Sequence, residues 1–204
     1  EKEMDALQAE ARRLFPQAHI SMVGNIPQFT VMQQYVERGQ MWSMLLSVLV
    51  IGVILVLVFS SWKVGLVGMI PNLAPAVIVG GMMGWLDYPL DMMTASLIPM
   101  ILGIAVDDTI HFINHSHVAY DRCGDYGNAI RSTFRTEGLA IVMSTVVVSA
   151  TFAGFMSSNA TQMVNWGILA VAGMVSALLA DLFLTPILFK YLRVFGKEKK
   201  TNSQ

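Results

Sequence analysis

The sequence predicts an all-α membrane bundle of five transmembrane helices, preceded by a small α+β unit. Hydrophobic residues make up 54% of the chain and charged residues only 13%, whereas a soluble domain carries about 25% charged residues. The mean hydropathy is +0.57. The apolar residues form five runs, each close to the roughly 20 residues that a helix needs to cross a bilayer. These runs are residues 41–60, 64–86, 92–114, 139–156 and 163–188.

Residues 1–40 are more polar than the rest of the chain and are expected to lie outside the membrane. Helical periodicity predicts an amphipathic helix over residues 1–15 and a second one over Ile26–Gln40. Between them, Ala18–Val23 has the composition of a short strand. One helix and one strand bury too little apolar surface to be stable alone. We therefore expect this unit to be the end of a larger extracytoplasmic domain in a longer protein.

The distribution of basic residues predicts the orientation of the bundle. Lysine and arginine occur in the links on one side and in the tail, residues 191–204, whereas the short links on the other side have none. Because basic residues are enriched on the cytoplasmic side of membranes, we expect a cytoplasmic C-terminus and extracytoplasmic residues 1–40. No basic face is present for nucleic acid, which is therefore not an expected partner.

The longest link, Asn114–Gly138, is predicted to lie at the cytoplasmic membrane surface. Tyr126, Ile130 and Phe134 recur at helical spacing within it, with arginines beside them. Such a pattern is typical of an amphipathic helix lying in the membrane interface.

Two acidic residues, Asp107 and Asp108, lie side by side inside the third apolar run. An aspartate near the centre of a bilayer costs about 2.5–3.5 kcal/mol on insertion scales. Ionisable residues at this depth usually mark ion pathways or proton relays. Two adjacent carboxyl groups in a low-dielectric region repel each other when both are ionised, so we expect the pair to bind and release protons.

Further candidates follow from helical spacing around this pair. Gly103, Asp107, His111 and His115 are four residues apart and form one stripe of the predicted helix. Gly103 would allow a neighbouring backbone to approach closely. His111 extends the stripe towards the cytoplasm and is a candidate for proton relay.

The fourth and fifth predicted helices supply polar partners for the acids. Ser144 and Thr145 carry hydroxyls on the fourth helix, where such groups act as relay partners or hydrogen-bond neighbouring helices. On the fifth helix, Gly173, Ala177 and Asp181 share one face. The small residues predict close packing, which would turn Asp181 inward. A relay role and a buried hydrogen bond are both open for Asp181.

Two prolines, Pro71 and Pro75, lie inside the second apolar run. Prolines four residues apart free backbone carbonyls, so we expect a break, kink or hinge in this helix.

No metal site or cofactor is expected. Asp107, His111 and His115 have ligand spacing on a helix, but no second cluster of ligands is present to face them. The single cysteine, Cys123, excludes a thiolate cluster.

Three motifs carry a resemblance to a known family. The sequence LGIAVDDTIHFINH, residues 102–115, closely resembles the helix motif of the resistance-nodulation-division (RND) superfamily, in its MMPL-type or hydrophobe-exporter branch. IPNLAP at Ile70–Pro75 and LDYPLDMMTASL at Leu86–Leu97 are similar to the same branch. The resemblance covers about residues 24–192. The five-helix unit also resembles sterol-sensing domains.

The resemblance implies a twelve-helix exporter of hydrophobic or lipid-like molecules in the cell inner (plasma) membrane, built from two similar halves and driven by the proton-motive force. Asp107 and Asp108 match the proton-carrying pair, and Ser144 or Thr145 falls where the family places a relay hydroxyl. Protons would be the coupling ion. The implied partners are membrane lipids, the substrate, the other half of the transporter, and oligomeric or periplasmic proteins. The basic tail after the fifth helix suggests the C-terminal half.

Two alternatives to transport remain open. A sterol-sensing-like module would bind a lipid and regulate a partner without pumping. An accessory subunit of protein translocation would share the fold, but the Asp107–Asp108 pair and the long cytoplasmic link argue against it.

Overall fold

The computed structural model describes residues 2–15, 25–88 and 91–196 of the chain, and within these ranges all regular structure is helical. A 3₁₀ turn, Gly154–Ser157, follows α7, and a π-helical turn, Ala180–Leu184, joins α8 to α9. The α-helices are α1 (Lys2–Leu14), α2 (Asn25–Phe59), α3 (Trp62–Trp85), α4 (Met92–Ala95), α5 (Leu97–Cys123), α6 (Tyr126–Thr136), α7 (Gly138–Ala153), α8 (Thr161–Leu179) and α9 (Thr185–Leu192).

Five helical segments in the described ranges are long and apolar enough to cross a membrane. This confirms the predicted all-α bundle with five spans. The segments are Gly39–Phe59, Trp62–Trp85, Met93–Cys123, Gly138–Ser157 and Thr161–Leu192. The predicted strand Ala18–Val23 lies outside the described residues, so the α+β character of the N-terminal unit stays a prediction.

Several helices extend beyond the limits predicted from hydropathy. The lead-in helix and the first span form one helix, α2, of 35 residues. The third span continues past Asn114 to Cys123, so α5 carries its polar end out of the apolar run. Hydropathy marks the apolar part of a helix, whereas the hydrogen-bonded backbone continues wherever nothing interrupts it.

Helix α3 does not break at Pro71 and Pro75, because it runs without interruption from Trp62 to Trp85. A kink or hinge within it stays a prediction. Both prolines are buried inside it. Each proline removes one backbone donor but still has a backbone φ suited to a helix. Packing of the buried face of α3 against neighbouring helices holds the helix together despite the lost hydrogen bonds.

Residues at the two ends fix the extent of the third span. Asp91 precedes α4, and its Oδ1 accepts hydrogen bonds from the backbone N–H groups of Met93 and Thr94, at 2.9 and 2.8 Å. The Thr94 hydroxyl accepts a hydrogen bond from the Asp91 N–H at 2.9 Å, which completes a capping box. At the other end, Gly124 adopts a left-handed conformation with φ 68° and terminates α5.

The centre of the bundle is formed by α3, α5 and α8. Their facing side chains make a buried apolar cluster that includes Val79, Ile101 and Leu169. Gly173 permits the close contact between α8 and α5, because a Cβ at this position would lie 2.3 Å from Ile101 Cδ1. Few residues of α2 and α7 are buried, so these helices lie at the periphery.

The amphipathic helix predicted for the link between the third and fourth spans exists as α6, Tyr126–Thr136. Its buried residues are Tyr126, Ala129 and Thr133, whereas Phe134 lies partly exposed at the edge of this face. The helix therefore packs on the end of α5 through a face rotated slightly from the predicted one. Ser116 of α5 donates a hydrogen bond to Thr133 at 3.1 Å within this contact.

The segment after α9 folds back onto α6 through Tyr126. The Tyr126 phenol accepts a hydrogen bond from the Phe195 N–H at 2.8 Å and donates one to the Gly196 carbonyl at 3.1 Å. The Phe195 ring stacks on His117, with centroids 4.8 Å apart. Burial raises the pKa of Tyr126. The neutral phenol therefore keeps its donor hydrogen above the ordinary tyrosine range and loses it as the pH rises through this raised pKa.

We expect Gly65→Ala to destabilise the chain by about 1–3 kcal/mol, because overpacking at a helix contact forces the backbone to shift. A Cβ on Gly65 would lie 2.5 Å from Val56 Cγ2 and 2.9 Å from Val56 Cα. Gly80→Ala on the same helix is the matched control, since nothing lies within 4 Å of its Cβ position. Thermal unfolding in detergent measures both, and equal melting temperatures would contradict the close contact.

We expect Tyr126→Phe to release the segment after α9, since the variant loses both phenol hydrogen bonds. Trypsin cleavage after Arg193 in detergent should accelerate by on the order of tenfold, as expected for losing about 1.4 kcal/mol. Tyr35→Phe is the control, because its side chain is 76% exposed. Unchanged cleavage in Tyr126→Phe would show that the stacking of Phe195 alone holds the segment.

Candidate functional site

A buried polar cluster lies where α3, α5 and the π-helical turn meet. Thr109 of α5 is at its centre, with its Oγ1 2.6 Å from Asp181 Oδ1 and 3.2 Å from Asn72 Oδ1. The Asn72 side-chain amide donates to the Gly68 carbonyl at 2.8 Å. Asn72, Thr109 and Asp181 are 1%, 0% and 2% exposed. Three helical segments therefore meet through hydrogen bonds that water does not reach.

The π-helical turn places Asp181 in this cluster. Pro186 has no backbone N–H for the Leu182 carbonyl, so the regular hydrogen-bond pattern is interrupted just before α9. The helix accommodates this by widening over Ala180–Leu184, a distortion that is frequent at functional sites. Thr185 Oγ1 lies 3.4 Å from both the Ala180 carbonyl and Asp181 Oδ1.

The two adjacent acids of α5 point in different directions. Successive residues of an α-helix are about 100° apart around its axis, so Asp107 and Asp108 cannot share one face. The side chain of Asp107 is 78% exposed, on the outer surface of the bundle. Asp108 is half-buried and faces α7. The pair therefore lies at the boundary between the surface of the five-helix unit and its interior.

The stripe predicted around Asp107 also lies on the outer surface. His111 Nε2 is 3.8 Å from Asp107 Oδ1, and its side chain is 60% exposed. Gly103 is exposed as well, and nothing lies within 4 Å of its Cβ position, so the predicted close backbone neighbour is absent from the described residues. His115 turns away to Glu137, with Nε2 and Oε1 3.0 Å apart.

The two candidate hydroxyls of α7 differ in their hydrogen-bond partners. Ser144 Oγ lies 3.5 Å from Asp108 Oδ1, but its shorter hydrogen bond, 2.9 Å, goes to the Ile141 carbonyl. The buried Thr145 hydroxyl donates to the same carbonyl at 2.9 Å. Hydroxyls in helices commonly bond to their own backbone in this way. Ser144 therefore lies within reach of an acid, whereas Thr145 is committed to its own helix.

Asp181 faces the interior, as the small residues of α8 predict. The sequence interpretation did not include its partners Asn72 and Thr109 among the candidates. Both have a signal in the sequence: Thr109 follows the acid pair directly, and Asn72 is a polar residue between two prolines of an apolar run. What the sequence does not show is that α3 and α5 meet at these positions.

The imidazoles of His111 and His115 contact different acids and do not meet at one site. His111 contacts Asp107, and His115 contacts Glu137 near the end of α6. Among the residues that the structure describes, no group of three or more His, Cys, Asp or Glu side chains is arranged to hold a metal ion.

The fold and this cluster define a multi-pass membrane protein with acidic side chains inside its membrane-spanning helices. The family model described as "MMPL family" matches residues 1–203. The chain therefore belongs to the MMPL family, a branch of the RND superfamily.

A curated relative is similar over much of the chain. The chain is 25% identical over 173 residues to the membrane protein MJ1562 of Methanocaldococcus jannaschii. The alignment covers 85% of the chain but only 45% of that relative, so the chain spans about half of its length. No solved structure matches the chain significantly.

We expect Thr109→Val to destabilise the bundle by about 1–3 kcal/mol, because it removes the hydroxyl that bridges two buried polar groups while keeping the side-chain shape. Thr109→Ser retains the hydroxyl and should lose much less. Melting temperatures in detergent compare the two variants. If valine is tolerated as well as serine, the hydrogen bonds to Asn72 and Asp181 do not stabilise the fold.

Proposed function

We propose that this chain is the five-helix membrane unit of a proton-driven exporter of hydrophobic or lipid-like molecules. The observation that carries the proposal is the pair Asp107 and Asp108 on a membrane-spanning helix, one on the surface of the unit and one towards its interior. Membership of the MMPL family supports transport of the RND type. Protons are the proposed coupling ion, and no cofactor is required.

The exposed position of Asp107 supports a second half of the transporter as a partner. A charged side chain facing lipid near the bilayer centre is costly. Gly103, Asp107 and His111 form an exposed stripe with one small residue, which suits close packing of another helix. The second half would cover this stripe and enclose the acids. It would also provide any basic group that faces them.

The proton pathway follows from the positions of the acids. We propose that Asp107 and Asp108 exchange protons, with Ser144 and His111 as their nearest polar neighbours. Thr145 was a candidate on the basis of sequence, but its hydrogen bond to its own helix gives it a smaller role. Asp181 is more deeply buried than the pair. Its hydrogen bond to Thr109 places it beside α5, the helix that carries Asp107 and Asp108.

The proposed orientation follows from the basic residues. Lys63, the arginines between α5 and α7 and the tail after residue 190 would face the cytoplasm. The unit formed by residues 1–40 would then be the extracytoplasmic end of a porter domain, and the bundle would lie in the cell inner membrane. Membrane lipids and oligomeric or periplasmic proteins would be further partners.

A lipid-sensing module is the second candidate function. An apolar groove of about 330 Å³ lies between α2 and α3 on the lipid-facing surface. Gly52, Trp62, Gly65 and Met69 are among the residues that line the groove. Its size and lining suit an acyl chain or a small apolar ring system. A sensor would bind a lipid here without moving protons across the membrane.

We expect Asp107→Asn and Asp108→Asn each to abolish substrate-stimulated proton flux in liposomes that contain the full-length protein. The amide keeps the size of the carboxyl group but does not exchange a proton. Flux should fall to the level of protein-free vesicles. Asp87→Asn is the matched control, since Asp87 is an exposed acid outside the spans and asparagine tolerates its positive φ of 55°.

Two results would contradict the proposal. Flux that persists in both variants would exclude the pair as the coupling site. A wild-type protein that binds lipid but moves no protons with any candidate lipid would favour the sensor.

A further inference from the structure

We propose that Asp181 is a separate proton-binding site, occupied in the conformation that the structure shows, whose proton completes a hydrogen-bonded chain through Thr109 to Asn72. The inference deepens the proposed function. It rests on that function for any part in proton exchange, but the bound proton itself follows from the geometry of the cluster and would be present in a sensor as well.

Thr109 has one hydroxyl hydrogen but two oxygens within hydrogen-bond distance. A threonine hydroxyl has one hydrogen to donate. Its Oγ1 lies within hydrogen-bond distance of two oxygens, Asp181 Oδ1 at 2.6 Å and Asn72 Oδ1 at 3.2 Å. An ionised carboxylate and an amide oxygen are both acceptors only. One hydrogen cannot serve both of them at the same time.

The orientation of the Asn72 amide is settled by its other contact. The side-chain nitrogen lies 2.8 Å from the Gly68 carbonyl, which is an acceptor. Exchanging the amide nitrogen and oxygen would place two oxygens against each other. The amide oxygen of Asn72 must therefore face Thr109 and needs a donor from that side.

A proton on Asp181 resolves the count. The protonated Oδ1 then donates to Thr109 Oγ1, Thr109 donates to Asn72 Oδ1, and Asn72 donates to the Gly68 carbonyl. Each of these three contacts then pairs one donor with one acceptor. Without the proton, the Thr109 hydroxyl turns to the carboxylate and leaves the Asn72 oxygen buried with no donor. Such a group is costly to bury.

The surroundings of Asp181 agree with a neutral carboxyl group. Among the described residues, no lysine, arginine or histidine forms an ion pair with it. The facing groups are the neutral Asn72 from α3, Thr109 and the acid Asp108 from α5, and Thr185 from its own helix. A buried carboxylate without a cation is unfavourable, and a second acid nearby adds repulsion.

Loss of this proton would change the contacts between helices. The hydrogen bonds join α3, α5 and the π-helical turn only while every donor in the chain faces an acceptor. Deprotonation would rotate the Thr109 hydroxyl and release Asn72, which lies between the two prolines of α3. Asp181 would thereby link protonation to the packing of α3, in which Pro71 and Pro75 each lack a backbone donor.

Infrared spectroscopy of the reconstituted full-length protein with ¹³C-carboxyl aspartate tests the site. At neutral pH we expect a C=O stretch from a protonated aspartic acid that shifts with the label. The band should be kept in the double variant Asp107→Asn/Asp108→Asn, where the pair has no carboxyl group, and lost when Asp181→Asn is added to that variant. The Asn variant should fold, because its amide can donate to Thr109 as the protonated acid does.

A second pair of variants tests the hydrogen-bonded chain even if Asp181→Asn does not fold. Thr109→Val should shift the protonated band to higher frequency, because the acid loses its acceptor, whereas Thr109→Ser should leave it in place. A band that moves equally in both would contradict the chain.

Three outcomes would overturn the proposal. The band is absent from the wild type, or it disappears in Asp107→Asn/Asp108→Asn, or it survives when Asp181→Asn is added to that double variant. A further test compares the melting temperature of the protein in Na⁺ and in choline at constant pH and ionic strength. Stabilisation by Na⁺ that Asp181→Asn abolishes would show that the oxygen cluster holds a cation in place of the proton. Flux measurements remain independent, so failure of the transport proposal is distinguishable from failure of this one.

Discussion

The hydrogen bond between Thr109 and Asp181 is the interaction on which the interior of this bundle depends. It joins the central helix α5 to the π-helical turn, and Asn72 extends it to α3. The three central helices otherwise meet through apolar side chains, which fix distance but leave rotation and register loosely defined. A polar contact has one correct geometry, and a mismatched partner in an apolar interior is costly. The cluster therefore specifies how the helices are aligned.

The adjacent acids Asp107 and Asp108 have different environments because of the helix repeat. Asp107 and Asp108 are adjacent in sequence but about 100° apart around the axis, so one is at the surface of the unit and the other is half-buried. Asp181 lies wholly inside. The three carboxyl groups thus range from exposed to fully buried across the width of the bundle. Such an arrangement suits a protein in which another subunit or half completes the outer site.

The number and position of the five spans were predictable, because long apolar runs have few stable structures other than membrane-crossing helices. The inward position of Asp181 was predictable as well, since Gly173 and Ala177 mark a packed face. Asn72 and Thr109 were not identified, because their importance comes from contacts between residues 37 and 72 positions apart. The continuity of α3 through Pro71 and Pro75 was not predicted, because it depends on packing against neighbouring helices that outweighs the local effect of proline. A kink or hinge at these prolines stays a prediction.

Helix α2 has a mechanical consequence that its composition does not suggest. Its 35 residues form a rod of about 52 Å at the usual rise of 1.5 Å per residue, whereas the hydrocarbon core of a bilayer is about 30 Å thick. Its apolar segment begins only at Gly39, so the first 14 residues, from Asn25, continue the same axis beyond it. Because both parts lie on one continuous helix, a tilt of the apolar segment would also move the Asn25 end. Helix α2 would thereby transmit movement between the bundle and the segment that precedes Asn25.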